Sequence, residues 1–394
     1  MAAWHHPRMS SVTRADLGRR RAAVAVAFAG QGFVFILLTT KLPRLQERFD
    51  LSPGDFSLLM LALVLCAGVG SLLGERIAPR RGSGLALRLG FALVVLSVPA
   101  MAAAPSVALL AVGMSAYGIA LGLADAGTNM QGVGLEHSYG RTIMPTFHAA
   151  WTCGGVAATV LALLTKNWSF EAVAVAGVLV PLALVAAPYV RGAGPVTPIG
   201  DDGSKVPWRR ILPVGIAMVL FYMVDTAATT WGPSYLHHVF GSGAALVAVA
   251  TLPYLVASLV GRASGDRLAE HFCAANLVRS AAFVGAAGLG VVVCAPHPLI
   301  AVLGFTVAGL GLATVAPLAF SAAAKIAREQ TSSEPEAVRA KVDAIIARFN
   351  QFNYLGGILG AVMTGAVGND SLRYGFAIPM VLVLFLAPLA RSFR

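Results

Sequence analysis

Charge is what this chain has least of. Asp, Glu, Lys and Arg make up 12% of its 394 residues, against 57% hydrophobic ones, where a soluble domain carries about 25% charged residues. The shortage excludes an ordinary soluble enzyme or binding module, whose cores do not need apolar runs of about 20 residues repeated end to end. Cysteine is also scarce: Cys66, Cys153, Cys273 and Cys294 show no Cys-x-x-Cys spacing, so neither a disulfide framework nor a metal site is expected. No Gly-x-x-x-x-Gly-Lys-Ser/Thr loop occurs, which sets ATP-driven work aside. Period-2 alternation is missing, which argues against a membrane β-barrel. His148 is the one histidine clearly inside an apolar run; that is too few for a two-histidine haem, and no cofactor and no catalytic residue are expected.

What is present is a series of apolar segments, and the expected class is an all-α polytopic membrane protein. Twelve spans can be drawn: 22–42, 56–75, 85–104, 107–131, 146–165, 171–189, 210–236, 244–261, 277–295, 299–324, 343–367 and 372–391. Arg14, Arg19, Arg20 and Arg21 precede the first run; its length and the many similar runs after it favour a retained span over a signal peptide. The net charge of +11 is scattered through connections rather than gathered in one patch, which argues against nucleic acid. Only Lys41, Arg44, Arg48, Lys166 and Arg373 of the 29 basic residues fall on one side. The positive-inside rule then places both termini in the cytoplasm of a multi-pass protein of the inner membrane. A polar stretch at 191–209 divides the chain into six-span units, 1–190 and 210–394. A second insert, 325–341, contains Ser332-Ser333-Glu334-Pro335-Glu336, which reads as the capped start of a short cytoplasmic helix.

Carboxylates are costly in hydrocarbon, yet Asp125 and Asp225 sit inside the fourth and seventh spans. Both are candidates for proton coupling, as is His148, which titrates in the physiological range. Asp125 and Asn129 lie four apart and share a helical face. Tyr222, Asp225, Thr226 and Thr229 share another, with Trp231 near its end. Asn129, Tyr222, Thr226, Thr229 and Trp231, with Gln31, Trp151, Asn350 and Asn353, are the candidates for a substrate cavity. A structural role as hydrogen-bonding glue between helices is the alternative for each.

Two segments recur. Gly70-Ser-Leu-Leu-Gly74-Glu75-Arg76 matches Gly261-Arg-Ala-Ser-Gly265-Asp266-Arg267, and Phe147-His148-Ala-Ala-Trp151-Thr-Cys-Gly154-Gly155 matches Phe349-Asn350-Gln-Phe-Asn353-Tyr-Leu-Gly356-Gly357. A duplicated six-helix unit is expected, a transporter architecture with its binding site near mid-membrane.

Twelve spans, a cytoplasmic linker and two Gly-x-x-x-Gly-acid-Arg segments resemble the major facilitator superfamily over nearly the whole chain. The Asp125-to-Asn129 element and the Phe-His and Phe-Asn openings resemble its fucose–proton symporter branch. That branch carries a further acid in its first span, where this chain has Gln31. The resemblance implies two pseudo-symmetric bundles and alternating access. It implies a monomer that moves a small organic solute with protons, by symport of a sugar-like or other polar solute or by export of a drug or metabolite. The missing Gly-Pro pair after Gly154 and the missing arginine in the fourth span favour symport. The resemblance also assigns gating to Gly70, Gly74, Glu75, Arg76, Gly261, Gly265, Asp266 and Arg267, the first copy departing from the pattern at Glu75 and Ala78-Pro79.

Overall fold

The structure is a computed structural model that describes residues 14–39, 45, 48–51, 53–165, 168–189, 207–242, 252–329, 335–368 and 371–394. Among these there is no strand. The helices are α1 (Arg14–Thr39), α2 (Pro53–Arg81), α3 (Ser83–Ala102), α4 (Val107–Tyr139), α5 (Met144–Leu164), α6 (Phe170–Val185) and α7 (Trp208–Phe240). They continue as α8 (Leu252–His271), α9 (Ala274–Cys294), α10 (Pro298–Leu312), α11 (Val315–Glu329), α12 (Pro335–Phe349), α13 (Gln351–Val367) and α14 (Leu372–Leu382), which short helical turns extend to Phe393. Most of the linker 191–209, the start of the eighth span and the expected cap at Ser332-Ser333-Glu334 lie outside the described residues.

Eight helical segments among the described residues are long and apolar enough to cross a bilayer, α10 and α11 counting as one. Large apolar side chains such as Leu58, Leu96, Val112, Leu179, Phe283, Leu303 and Val362 stand exposed around them. In water such a surface would aggregate; hydrocarbon is the medium that fits it. The chain is thus a multi-pass helical membrane protein.

The packing repeats. In α1–α6, α2 and α3 pack on α4, α1 on α5, and α3 on α6; in α7–α14, α8 and α9 pack on α10, α7 on α13, and α9 on α14. Matching glycines allow the tightest of these approaches. A Cβ on Gly154 would sit 1.9 Å from the Ala29 carbonyl oxygen, and one on Gly356 would sit 2.6 Å from that of Val219. Small residues at such seams let helix backbones close up where no hydrophobic force drives them together. Two arginines repeat as well. Arg48 donates to the carbonyls of Ala102 and Ala104 at the end of α3, and Arg373 to those of Val293 and Ala295 at the end of α9. Each closes orphan carbonyls at a helix C-terminus.

Two expectations need correction. Helices α2, α4, α7 and α8 run to Arg81, Tyr139, Phe240 and His271, beyond the apolar runs that mark 75, 131, 236 and 261. Hydropathy ends where charge begins, but backbone hydrogen bonding does not, so Arg76 and the segment Arg262–Arg267 lie on helix. A helix does begin in the insert at 325–341: α12 starts at Pro335 and runs past 341 to Phe349, inside the expected eleventh span. That span breaks at Asn350, where Asn353 N–H bonds to the Asn350 carbonyl at 3.2 Å in a tighter turn.

Candidate functional site

Helix α4 is buried from Ala120 to Val133 except at Asp125, so this carboxylate has an accessible side. Its oxygens accept five hydrogen bonds. Gln31 Nε2 (3.0 Å) and Asn129 Nδ2 (3.3 Å) reach Oδ1 from α1 and α4. Asn350 Nδ2 (2.6 Å), Asn353 Nδ2 (3.3 Å) and Tyr354 OH (3.2 Å) reach Oδ2 from α13 and the break before it. Two groups of helices therefore meet on one carboxylate, and none of its five donors is charged. Thr128 Oγ1 holds Gln31 by donating to its Oε1 at 3.1 Å.

Along α7, Tyr222, Asp225, Thr226 and Thr229 are half-buried while the intervening residues from Ala217 to Ala228 are buried. The stripe is thus the accessible face of the helix. Asp225 accepts from Tyr254 OH at 2.8 Å and lies 3.9 Å from Arg262 Nη2. The Arg262 side chain keeps 7% of its surface and that of Asp225 keeps 25%. Arg262 also leans over the Phe221 ring and donates from Nη1 to Thr152 Oγ1 on α5 at 2.6 Å. Tyr222 lies within electrostatic reach of Asp125, Asp225 and Arg262, so the two acids belong to one polar layer.

The remaining candidates are placed as follows. Trp151 is half-buried and tilted against Phe35. Thr229 donates to its own helix at Asp225 O, and Trp231 Nε1 donates to Ala361 O on α13, so both are engaged in helix packing. His148 is buried between Phe28 and Phe320, and its carbonyl accepts from Thr152. It contacts neither Glu136, which caps Ile143 N and Met144 N, nor Arg141, which pairs with Glu270. Among the described residues, His148 Nε2, Arg262 Nε, Asn129 Oδ1 and Asn350 Oδ1 are buried without a hydrogen-bond partner.

The two groups are tied together at one end. Glu75 on α2 pairs with Arg348 on α12, and Ser71 Oγ donates to Ala347 O at 3.0 Å. Asp266 on α8 accepts from Thr146 N at 3.0 Å and from the Thr146 hydroxyl, with Arg21 at 3.7 Å. The carboxylate thus caps the N-terminus of α5, where helix dipole and free N–H groups favour an anion. Burial pushes its carboxyl above the usual carboxylate range, against the bonds from Thr146 and the charges of Arg21 and Arg141. Gly70, Gly74, Gly261 and Gly265 sit at close helix contacts; Arg76 and Arg267 are exposed.

Arg262, Tyr254, Tyr354, Thr152 and Arg348 escape a reading of the sequence. Arg262 had a signal, since a charge one residue beyond an apolar run is a buried charge if the helix continues.

A multi-pass helical protein with a polar layer between two similar groups of helices has the architecture of a solute carrier. No family model matches the chain. An uncharacterized MFS-type transporter of Yersinia pestis is 24% identical over 385 residues, 95% of each chain. An uncharacterized transporter of Sinorhizobium fredii is 26% identical over 309 residues, 76% of this chain and 81% of that one. Among solved structures, the major facilitator transporter FucP in its outward conformation superposes with a TM-score of 0.75 at 15% identity, covering 95% of this chain and 98% of FucP. The proton:xylose symporter XylE gives 0.72 at 14%, covering 94% of each. The chain has the major facilitator fold, and these relatives and neighbours are transporters, not enzymes.

Proposed function

We propose that this chain is a secondary active transporter that moves a small polar organic solute across the cytoplasmic membrane by alternating access, in symport with protons. In this reading twelve spans form two bundles, 1–190 and 210–394, joined by a linker at 191–209, and a monomer works with both termini in the cytoplasm. The observation that carries it is the carboxylate of Asp125, which both groups of helices share.

Bonds to an ionised acceptor are roughly twice as strong as neutral ones. When Asp125 takes up a proton, Asn350, Asn353 and Tyr354 lose that advantage, and their group of helices is freer to tilt. Asp225 is the second charge-sensitive point: its protonation removes the partner of Arg262, which reaches across to Thr152. His148 acts here as packing, presenting its carbonyl to Thr152. With the Glu75 and Asp266 contacts on the cytoplasmic side, the cleft opens outward, in keeping with the likeness to FucP in that state. The accessible Tyr222, Thr226, Trp151 and Asn353 offer hydroxyls, an amide and an aromatic face, a set suited to a polyhydroxylated solute. The neighbours FucP, a fucose:proton symporter, and XylE support that choice.

The test is a solute screen in proteoliposomes under an imposed pH gradient. The Asp125→Asn variant should lose gradient-driven accumulation, by about 5- to 150-fold if one coupling interaction is removed, while retaining exchange. Normal accumulation by both Asp125→Asn and Asp225→Asn would overturn the proton assignment.

A further inference from the structure

The shell around Asp125 is unusual for a hydrogen-bonded carboxylate in that its amides face it the wrong way round to be satisfied themselves. A carboxylate has about four lone-pair sites, and here five donors converge on it, two of them at 3.3 Å. The amides of Asn129 and Asn350 give their nitrogens to Asp125, and their oxygens are left buried without a partner. Those side chains are 1% and 0% exposed, so water does not complete them. A half-turn about the last side-chain torsion exchanges amide oxygen for nitrogen at no change of shape. It would aim oxygens at the carboxylate, an arrangement that is repulsive unless a cation lies between them.

We infer that the Asp125 shell is a binding site for a monovalent cation of the sodium class, held by the Asp125 carboxylate and the amide oxygens of Asn129, Asn350 and Asn353. Hard cations take carboxylate, carbonyl and hydroxyl oxygens, and Tyr354 supplies a further hydroxyl oxygen at the same carboxylate. One carboxylate among neutral oxygens balances a single positive charge; a divalent ion would leave an uncompensated charge in a poorly solvated layer. Among the described residues no group of His, Cys, Asp and Glu side chains could hold a transition metal, which does not bear on a site made of amides. Because Asn129 belongs to one group of helices and Asn350 and Asn353 to the other, the ion ties the two together by coordination where the ion-free shell ties them by hydrogen bonds. This inference rests on Asp125 being the charge-sensing bridge of the transporter; it does not require the proton to be the transported ion.

The probe is Na⁺ itself, with the purified full-length protein and no solute. Thermal unfolding is followed in NaCl and in choline chloride at equal ionic strength and fixed pH. A ligand bound only by the folded state raises Tm with its concentration. The wild type should show a saturable rise with Na⁺ that choline does not reproduce. The Asp125→Asn variant should lose the rise, and Asn350→Ala and Asn129→Ala should need at least tenfold more Na⁺ to reach half of it. If Asp125→Asn fails to fold, the two asparagine variants carry the test alone. An equal response to sodium and choline overturns the inference, as does an unchanged sodium response in the variants. A sodium response without any solute uptake in proteoliposomes would sink the transport reading and leave the cation site standing; proton-driven uptake without a sodium response would do the reverse.

Discussion

Asp125 and Asp225 are carboxylates of the same polar layer, one from each group of helices, yet they are stabilised by opposite means. Asp125 is held by neutral donors from both groups. Asp225 is held by a tyrosine and a guanidinium of its own group, and only the guanidinium reaches across. The same contrast appears, crossed over, at the closed end: Glu75 is held by a cation, Arg348, and Asp266 chiefly by the neutral donors of Thr146. Neutral donors let a carboxylate change its charge without stranding another one. A cation does not, because neutralising the acid leaves the base unpaired in a medium where that is costly. Asp125 and Asp266 are therefore suited to switching, and Asp225 and Glu75 to holding.

The sharpest way to break this contrast is at Arg262. Arg262→Gln strands the Asp225 carboxylate. Removing one partner of a fully buried pair costs about 3–5 kcal/mol; with Asp225 a quarter exposed and the pair at 3.9 Å, about 2 kcal/mol is expected once solvent screening is allowed for. Adding Asp225→Asn should recover most of that loss, a coupling that a double-mutant cycle of thermal or denaturant unfolding measures. If the double variant is no more stable than Arg262→Gln alone, Asp225 is not held by charge and the contrast fails.

A smaller effect is expected at Asp266. Asp266→Asn removes the charge from the bond to the α5 N-terminus, where a carboxylate contributes up to about 1 kcal/mol. The ratio of the two transport states should shift roughly fivefold toward opening of this end, read as spin-label distances between α5 and α8. The pH dependence has a definite sign. Burial raises the Asp266 carboxyl, so it takes up its proton at a higher pH than an ordinary aspartate, and the wild type should approach the variant as pH falls through the mildly acid range. The groups facing it are Thr146, Arg21 and Arg141, the last paired with Glu270. A pH response that survives unchanged in Asp266→Asn would place the titrating group elsewhere.

Much of the architecture is legible in the residues because membrane physics leaves few alternatives. Apolar run lengths mark spans, and the Gly-Gly pairs at 154 and 356 mark the same seam in each half. The accessible stripe of Tyr222, Asp225, Thr226 and Thr229 is written in helical spacing. What is not legible is which side chains meet across the halves. Asn350 reaches Asp125 over 225 residues of chain, and no local pattern specifies that. Arg262 reads as a loop charge because its apolar run stops at Gly261, although the helix goes on to His271. Nothing local in the sequence marks Tyr354, whose hydroxyl meets the Asp125 carboxylate at 3.2 Å across 229 residues of chain. His148 errs in the other direction. Its titratable ring draws attention in the sequence, and the fold encloses it between two phenylalanines.

The smallest effect belongs to Glu75 and Arg348, and it sharpens the contrast because the geometry alone would predict otherwise. The pair crosses the same closed end as Asp266, but the Arg348 side chain is 45% exposed, and a pair this open to water contributes about 0.4 kcal/mol after screening. Neighbouring contacts persist without it: Ser71 still donates to Ala347 O, and Gln351 to Gly68 O. Arg348→Gln should therefore shift the state ratio by about twofold or less. Raising the ionic strength to about 1 M, where the screening length falls to about 3 Å, should abolish even that difference. The Asp266 bond, made to a backbone N–H in a more buried place, should keep most of its effect in the same salt. An Arg348→Gln variant that opens this end as far as Asp266→Asn would mean that cation-paired and neutrally bonded acids do the same work here, and the division between holding and switching carboxylates would have to be abandoned.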